Sequence, residues 1–301
     1  MRRFFSHSNQ LIFAFNTSLD IKKIKKRLDA VARYHSKFRL SVDHQSIWKR
    51  REETCSYVYE ERITGRDSDK EEVVGMLLNT NVEQDVSFMT IVGIGGLGKT
   101  TLAQLVYNDD RIKRAFQLRL WVCVSREFGV KEILCKMLMS LPDDKFDGLV
   151  LDQLQRKVRE HIETHRYLHV LDDVCNESRD AWVKLKDFLV GGRKGSKVVV
   201  TSRSKEVARA VGNYPMYELQ GLSTEDSWKL FKQMAFDREE HVDANLVEIG
   251  KEIIKKCANV PLSIRVIGSL LYGQGGKING CYFKKMTWLK SKKPRIARWQ
   301  Y

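Results

Sequence analysis

The sequence predicts an α/β chain: a parallel sheet with flanking helices, followed by a small helical domain and preceded by one amphipathic helix. Three observations predict it. Short apolar runs alternate with helical periodicities between residues 88 and 201, the strand-like runs cease after Leu219, and a glycine-rich turn joins the first apolar run to the helix that follows it. A chain of 301 residues has room for about two domains, and 43% hydrophobic with 30% charged residues is the ordinary balance of a globular protein.

Taken in order, the run Leu11 to Phe15 is too short for a secretory core, and no stretch is long enough to span a membrane. Residues 18–40 place Ile21, Ile24, Leu28, Val31 and His35 at three- and four-residue steps among Lys and Arg, the pattern of a helix that packs on a partner helix. Residues 41–60 lack periodicity and read as a linker, and Ser68 to Glu71 has the spacing of a capping box ahead of Val73, Val74, Leu77 and Leu78. Strands are expected at Phe88 to Val92, Leu118 to Val124, Tyr167 to Leu171 and Val198 to Thr201, with helices from Thr100, around Ile133 to Leu138, and over Leu151 to Ile162. Beyond Leu219, Ser223 caps a helix carrying Trp228, Phe231 and Met234, and a second carries Leu246, Ile249, Ile253 and Cys257. Pro261 opens a third, where its missing N–H does no harm. The expected organisation is a coiled-coil remnant over 1–45, a linker over 46–62, a sheet domain over 63–220, a helical domain over 221–275 and a basic tail over 276–301. No internal repeat marks a solenoid.

Charge and cysteines narrow the chemistry. Residues 1–40 carry 10 Lys and Arg against 2 acids and residues 276–301 carry 8 against none, so of the net charge of +15 the stretch between holds about −1. The core is therefore neutral, and neither nucleic acid nor membrane is the expected partner. The six cysteines contain no C-x-x-C pair and read as reduced thiols, not as a disulfide framework or zinc site. His161, His165 and His169 recur every four residues, but the first two fall on a helix and the third inside a buried strand, so His169 reads as a core histidine in need of a hydrogen-bond partner.

The chemistry lies in the turn Gly93-Ile94-Gly95-Gly96-Leu97-Gly98-Lys99-Thr100, the G-x-x-x-x-G-K-T spacing of a P-loop, set between a strand and a helix. Glycines let backbone N–H groups curl round phosphates and the helix N-terminus adds its positive dipole, while Lys99 would neutralise the β/γ-phosphates and Thr100 would hold Mg²⁺ through its hydroxyl. Such a site needs a carboxylate at the end of a buried strand, and the run ending in Asp172-Asp173 supplies it: Asp172 for Mg²⁺ through water, Asp173 to orient or deprotonate an attacking water. Arg203, just after the strand that ends near Thr201, is placed as a γ-phosphate sensor.

These motifs in this order resemble the NB-ARC nucleotide switch of plant intracellular immune receptors that combine a coiled coil, a nucleotide-binding domain and leucine-rich repeats. The resemblance rests on the segment Tyr57 to Asp67, FQLRLWVCVSREF at 116–128, LHVLDDV at 168–174, GSKVVVTSR at 195–203, LQGLSTEDSWKLF at 219–231 and Cys257 to Leu262, and covers roughly residues 18–275. It implies a P-loop NTPase fold, a cytoplasmic location, and ADP or ATP with Mg²⁺ as ligand. By position it implies that Ile63 and Arg66 border the adenine, that Gly93, Gly95, Gly96, Leu97, Gly98, Lys99, Thr100 and Thr101 cradle the phosphates, and that Pro261 reaches the base from the helical domain. Asp172, Asp173 and Arg203 keep the roles given above.

The departures bear on this expectation. Cys175 stands where the family usually has Trp, Ser202 where it has a second Thr, and Asn259-Val260-Pro261-Leu262 where it has Gly-Leu-Pro-Leu; Asn259 tolerates a left-handed backbone, so the turn can survive. The resemblance implies a molecular switch in defence with slow ATP hydrolysis at most, partnered through its N-terminal helix with other receptors or guarded host proteins and able to oligomerise. The alternative is a truncated decoy or adaptor that pairs with full-length receptors.

Overall fold

The structure is a computed structural model, and it describes residues 53–79, 85–125, 128–141, 148–212, 214–236 and 244–272. The amphipathic helix expected over 18–40, the remnant domain over 1–45 and the basic tail over 276–301 lie outside the described residues. A short 3-10 turn, Glu60–Arg62, precedes α1 (Asp67–Leu78), β1 (Val86–Val92), α2 (Lys99–Asn108), α3 (Asp110–Ala115), β2 (Leu118–Cys123), α4 (Val130–Met139) and α5 (Leu151–Thr164). The chain continues through β3 (Tyr167–Val174), α6 (Arg179–Leu189), β4 (Ser196–Ser202), α7 (Lys205–Val211) and β5 (Met216–Glu218). Three helices close the described chain, α8 (Thr224–Ala235), α9 (Ala244–Lys256) and α10 (Pro261–Tyr272).

The five strands form one parallel sheet in the order β2-β3-β4-β1-β5. Every residue of β1 and β4 is buried, as expected of central parallel strands covered on both faces. Alternation divides the core in two. Val86 and Phe88 of β1, Tyr167 and Leu171 of β3, and Val198 and Val200 of β4 pack on one side with Ile133, Leu154, Val158, Trp182 and Leu185 of α4 to α6. Met89 and Ile91, Leu168 and Val170, and Val199 pack on the other with Val73 and Leu77 of α1, Leu102 and Val106 of α2 and Ile112 of α3.

Every strand expected from the sequence is present. Three helices and a strand were not expected: α3 and α7 are six and seven residues long, too short to show a period, and β5 is a three-residue edge strand with both ends exposed. The helix α6 carries Trp182, Leu185 and Leu189 at helical spacing behind a Ser178 N-cap, whose hydroxyl accepts from the Ala181 N–H, and that signal was there to be used.

The capping box at Ser68 to Glu71 does not form. The helix α1 begins at Asp67 with Arg66 at the N-cap and no side-chain cap, so Ser68 lies inside the first turn, and Asp67 and Asp69 face the helix dipole instead. At the N-cap, the buried guanidinium of Arg66 reaches the glycine-rich loop.

The three helices after β5 follow the sequence reading. Ser223 caps α8, its hydroxyl accepting from the Asp226 N–H at 3.0 Å, and Pro261 is the first residue of α10. Leu230, Phe231, Ile253, Ile254, Cys257, Ile264 and Leu271 make their core. The turn before Pro261 puts Ala258 and Asn259 at φ +50° and +56°, so Asn259 does take the left-handed conformation it tolerates.

Candidate functional site

The loop from Gly93 to Gly98 leaves the C-terminal end of β1 and enters α2, and its shape explains its glycines. Gly96 and Gly98 sit at φ +81° and +92°, and a side chain on Gly96 would meet Leu262 Cβ at 2.8 Å. Gly98 is the N-cap of α2, so the first N–H groups of that helix open toward the loop. Leu97 is buried beneath the loop, while Gly95 faces outward with Arg203 Nη1 3.9 Å from the place its Cβ would occupy.

Two side chains at the start of α2 turn into the site. The Lys99 ammonium donates to the carbonyls of Gly93 at 2.8 Å and Ile94 at 3.0 Å. Burial, and after it the positive charge of Arg203, pushes its pKa down to about 8, against the pull of Asp173 and Asp172. An anion beside it would raise that pKa and hold the ammonium charged. The Thr100 hydroxyl lies 3.0 and 3.1 Å from the two oxygens of Asp172, while Thr101 is half-buried one residue on.

Asp172 is fully buried near the end of β3, and hydroxyls surround it: Thr201 donates to Oδ1 at 2.5 Å and Thr54 to Oδ2 at 2.8 Å, besides Thr100. Among the described residues no Lys or Arg forms an ion pair with it. A buried carboxylate solvated by neutral hydroxyls favours a cation, and hard oxygen donors beside a phosphate loop suit Mg²⁺. Among the described residues there is no cluster of three or more His, Cys, Asp or Glu side chains, so a metal here would draw its remaining ligands from phosphate and water. The residues present therefore fit Mg²⁺.

Asp173, the next residue, has φ +57°, which turns its carboxylate out of the strand pattern toward Arg203; Nε and Oδ1 are 3.6 Å apart. Its backbone N–H donates to Thr201 Oγ1 at 2.9 Å, so one threonine holds both aspartates in place. Asp173 and Arg203 thus stand at the rim of the loop, together with Lys99, Thr100 and Asp172.

Of the remaining residues read from the sequence, Arg66 contacts the loop directly. Arg66 is buried; its Nη2 donates to the carbonyls of Leu97 at 2.8 Å and Gln220 at 3.0 Å, and Nη1 bonds Asp69 at 2.7 Å. Asp69 is held in turn by the Tyr217 hydroxyl at 2.6 Å. Arg66 thus ties the loop backbone to the segment that follows β5. Ile63 is half-buried at the end of the 3-10 turn. Gly65 lies so close to α8 that a Cβ would come within 2.6 Å of the Asp226 side chain. Pro261 is partly exposed, and it is its neighbour Leu262 whose N–H donates to the Gly96 carbonyl at 3.2 Å.

Four contributors escaped the sequence reading: Thr54, Thr201, Gln220 and Leu262. Only Thr201 had a signal, a hydroxyl at the end of the strand next to Asp172. His169 is fully buried, in register with Leu120 and Val198, and among the described residues neither ring nitrogen has a hydrogen-bond partner. Burial holds its pKa down at about 3.

Comparison with known proteins agrees with this geometry. The family model for the NB-ARC domain matches residues 66–241, more than half of the chain. Disease resistance protein RGA2 of Solanum bulbocastanum is 39% identical over 270 residues, 88% of this chain and 28% of that protein. Putative disease resistance protein RGA1 of the same plant is 37% identical over 269 residues, and disease resistance protein RPP13 of Arabidopsis thaliana 35% over 221. The chain spans about a quarter of the length of these relatives. Among solved structures, Cdc6p of Pyrobaculum aerophilum superposes with a TM-score of 0.52 at 15% identity, over 73% of this chain and 64% of that one. The ORC1 protein of Aeropyrum pernix gives 0.50 at 14%, over 69% and 60%, and both likenesses concern the fold alone. With a phosphate loop, a buried strand-end aspartate and a helical domain seated on that loop, the chain belongs to the NB-ARC domain family.

Proposed function

We propose that this chain is the adenine-nucleotide switch module of a plant disease resistance protein, binding ADP or ATP with Mg²⁺ and hydrolysing ATP slowly at most. The observation that carries the reading is that one loop is gripped by both domains. Arg66 holds Leu97 from the sheet side, and the Leu262 N–H holds Gly96 from the helical side. A ligand in that loop contacts groups whose positions depend on how the domains pack, so gaining or losing a phosphate changes which packing is favoured.

In this reading Lys99 neutralises the β/γ-phosphates, the loop N–H groups and Thr101 line the phosphate path, and Ile63, Arg66 and Pro261 border the base. Bound Mg²⁺ would be held by Thr100 and, through water, by Asp172, and would neutralise charge on the phosphates. Asp173 orients or deprotonates the attacking water, and Arg203, 57% exposed at the rim, is free to swing to a γ-phosphate and leave when it is lost. Association with other resistance proteins, a cytoplasmic location, and the N-terminal residues as the partner surface extend the same proposal. Among the described residues no helix is long and apolar enough to cross a membrane.

The experiment is to purify the chain, denature it and identify the released nucleotide by chromatography. ADP near one per chain is the expected outcome. A folded protein that carries no nucleotide and takes up neither added ADP nor ATP would refute the proposal.

A further inference from the structure

Ahead of the family match, residues 53–58 lie against the sheet domain with alternating exposure: Thr54, Ser56 and Val58 are half-buried while Glu53, Cys55 and Tyr57 are exposed. Four ties fasten this segment. Glu53 pairs with Lys136 of α4 at 3.0 Å, Thr54 donates to Asp172, and the carbonyls of Cys55 and Ser56 accept from Gln104 and Asn108 of α2 at 2.6 and 2.7 Å. The Trp121 indole N–H points at the Thr54 hydroxyl oxygen from 3.4 Å, which leaves the hydroxyl proton directed at Asp172.

A carboxylate offers about four lone-pair sites. Here Thr201 and Thr100 face Oδ1, and Thr54 and Thr100 face Oδ2. Thr100 has one proton for the two oxygens. A threonine oxygen that gave a lone pair to a metal would keep that proton for one oxygen of Asp172, while Thr54 and Thr201, one on each oxygen, fix the carboxylate plane from both sides.

Building on the nucleotide-switch reading, we propose that Thr54 is a positioning residue for Asp172, and that residues 53–56 form a strap whose docking is coupled to Mg²⁺-nucleotide binding. The strap holds the carboxylate in the orientation the metal's water meets, so metal binding tightens the strap by the same factor by which the strap tightens metal binding. The segment leading to residues 1–52 would then respond to the state of the site.

The test compares the wild-type chain with Thr54→Val, which removes the donor at nearly constant shape, and Thr54→Ser, which keeps it. A fluorescent ADP analogue is titrated in Mg²⁺ and in EDTA, and hydrogen exchange is followed at residues 55–58. Thr54→Val is expected to lose on the order of tenfold of the Mg²⁺-dependent gain in affinity, the lower end of the worth of one hydrogen bond to a charged group, with its EDTA affinity unchanged and Thr54→Ser like wild type. In wild type, exchange at 55–58 should slow when Mg²⁺ and ADP are added together but not with ADP in EDTA. An undiminished Mg²⁺ gain in Thr54→Val overturns the positioning role. Exchange in wild type that ignores Mg²⁺ overturns the strap, even if Thr54→Val fails to fold. If wild type binds no nucleotide in either condition, the switch reading fails and the coupling with it. Wild-type binding with indifferent variants removes the positioning role and leaves the switch reading standing.

Discussion

Asp172 and His169 lie three residues apart on β3, and neither is reached by solvent, yet the strand treats them in opposite ways. Asp172 has three hydroxyls on its two oxygens; His169, in the middle of the sheet, has no partner for either ring nitrogen among the described residues. Position explains the contrast. At the C-terminal ends of parallel strands the chain breaks into loops whose polar groups converge, which is where open α/β sheets bind ligands. Mid-strand, the neighbours across the ladder are Leu120 and Val198, and the apolar side chains of α4 to α6 pack on that side of the sheet. A buried polar group is affordable where loops can satisfy it and remains a burden where they cannot.

The comparison can be broken or sharpened by substitution. The largest effect belongs to the rim: Lys99→Ala should lower nucleotide affinity on the order of 100-fold, the worth of a buried charged contact to phosphate. Its thermal unfolding should stay close to wild type, since the ammonium serves the loop carbonyls and not the core. Wild-type affinity in that variant would remove the phosphate role. Asp172→Ala should destabilise the chain itself by about 2 kcal/mol, because Thr54, Thr100 and Thr201 lose their shared acceptor. Urea unfolding measures it, and no loss would mean the hydroxyls find other partners easily.

The pH dependence of binding is next in size. In the free protein Lys99 loses its charge as pH rises through about 8, whereas a bound phosphate raises its pKa, so above that pH binding takes up a proton. Affinity should therefore be flat below pH 8 and fall up to about tenfold per unit above it, with Lys99→Ala showing no such slope. Smallest is the core: His169→Leu should gain about 1 kcal/mol at pH 7, since it replaces two unpartnered nitrogens with packing. The sign of its pH effect is set by the folded pKa of about 3 against about 6.5 in the unfolded chain. Below pH 6.5 the unfolded chain binds a proton that the native state refuses, so wild-type stability drops as pH falls toward 3. The Leu variant should lose that part of the slope, and an unchanged acid limb in urea unfolding would show that His169 finds a partner.

Much of the site was legible before any coordinates. The P-loop, the Asp172-Asp173 pair and Arg203 are local signals, each a residue type at a fixed offset from a strand or helix end, and the structure gathers all of them at one edge of the sheet. Thr54 was not legible, because it meets Asp172 across 118 residues of sequence and sits in a stretch without periodicity. Arg66 was placed near the site, but its bonds to Leu97 and Gln220, 31 and 154 residues away, were not. The capping box misled too: despite the local motif at Ser68, α1 begins at Asp67, with Arg66 at the N-cap reaching the loop.

By itself, then, the sequence determined the alternation of strands and helices, the class of the sheet and the phosphate loop with its aspartates. Backbone periodicity and the conformational freedom of glycine act within a few residues and leave their mark in composition. Only the tertiary structure decided which hydroxyls surround Asp172, which carbonyls Arg66 holds, that the helical domain rests on Gly96, and that His169 has no partner among the described residues. Those choices depend on which groups remain desolvated side by side once the chain has closed its long loops, and no local pattern encodes that outcome.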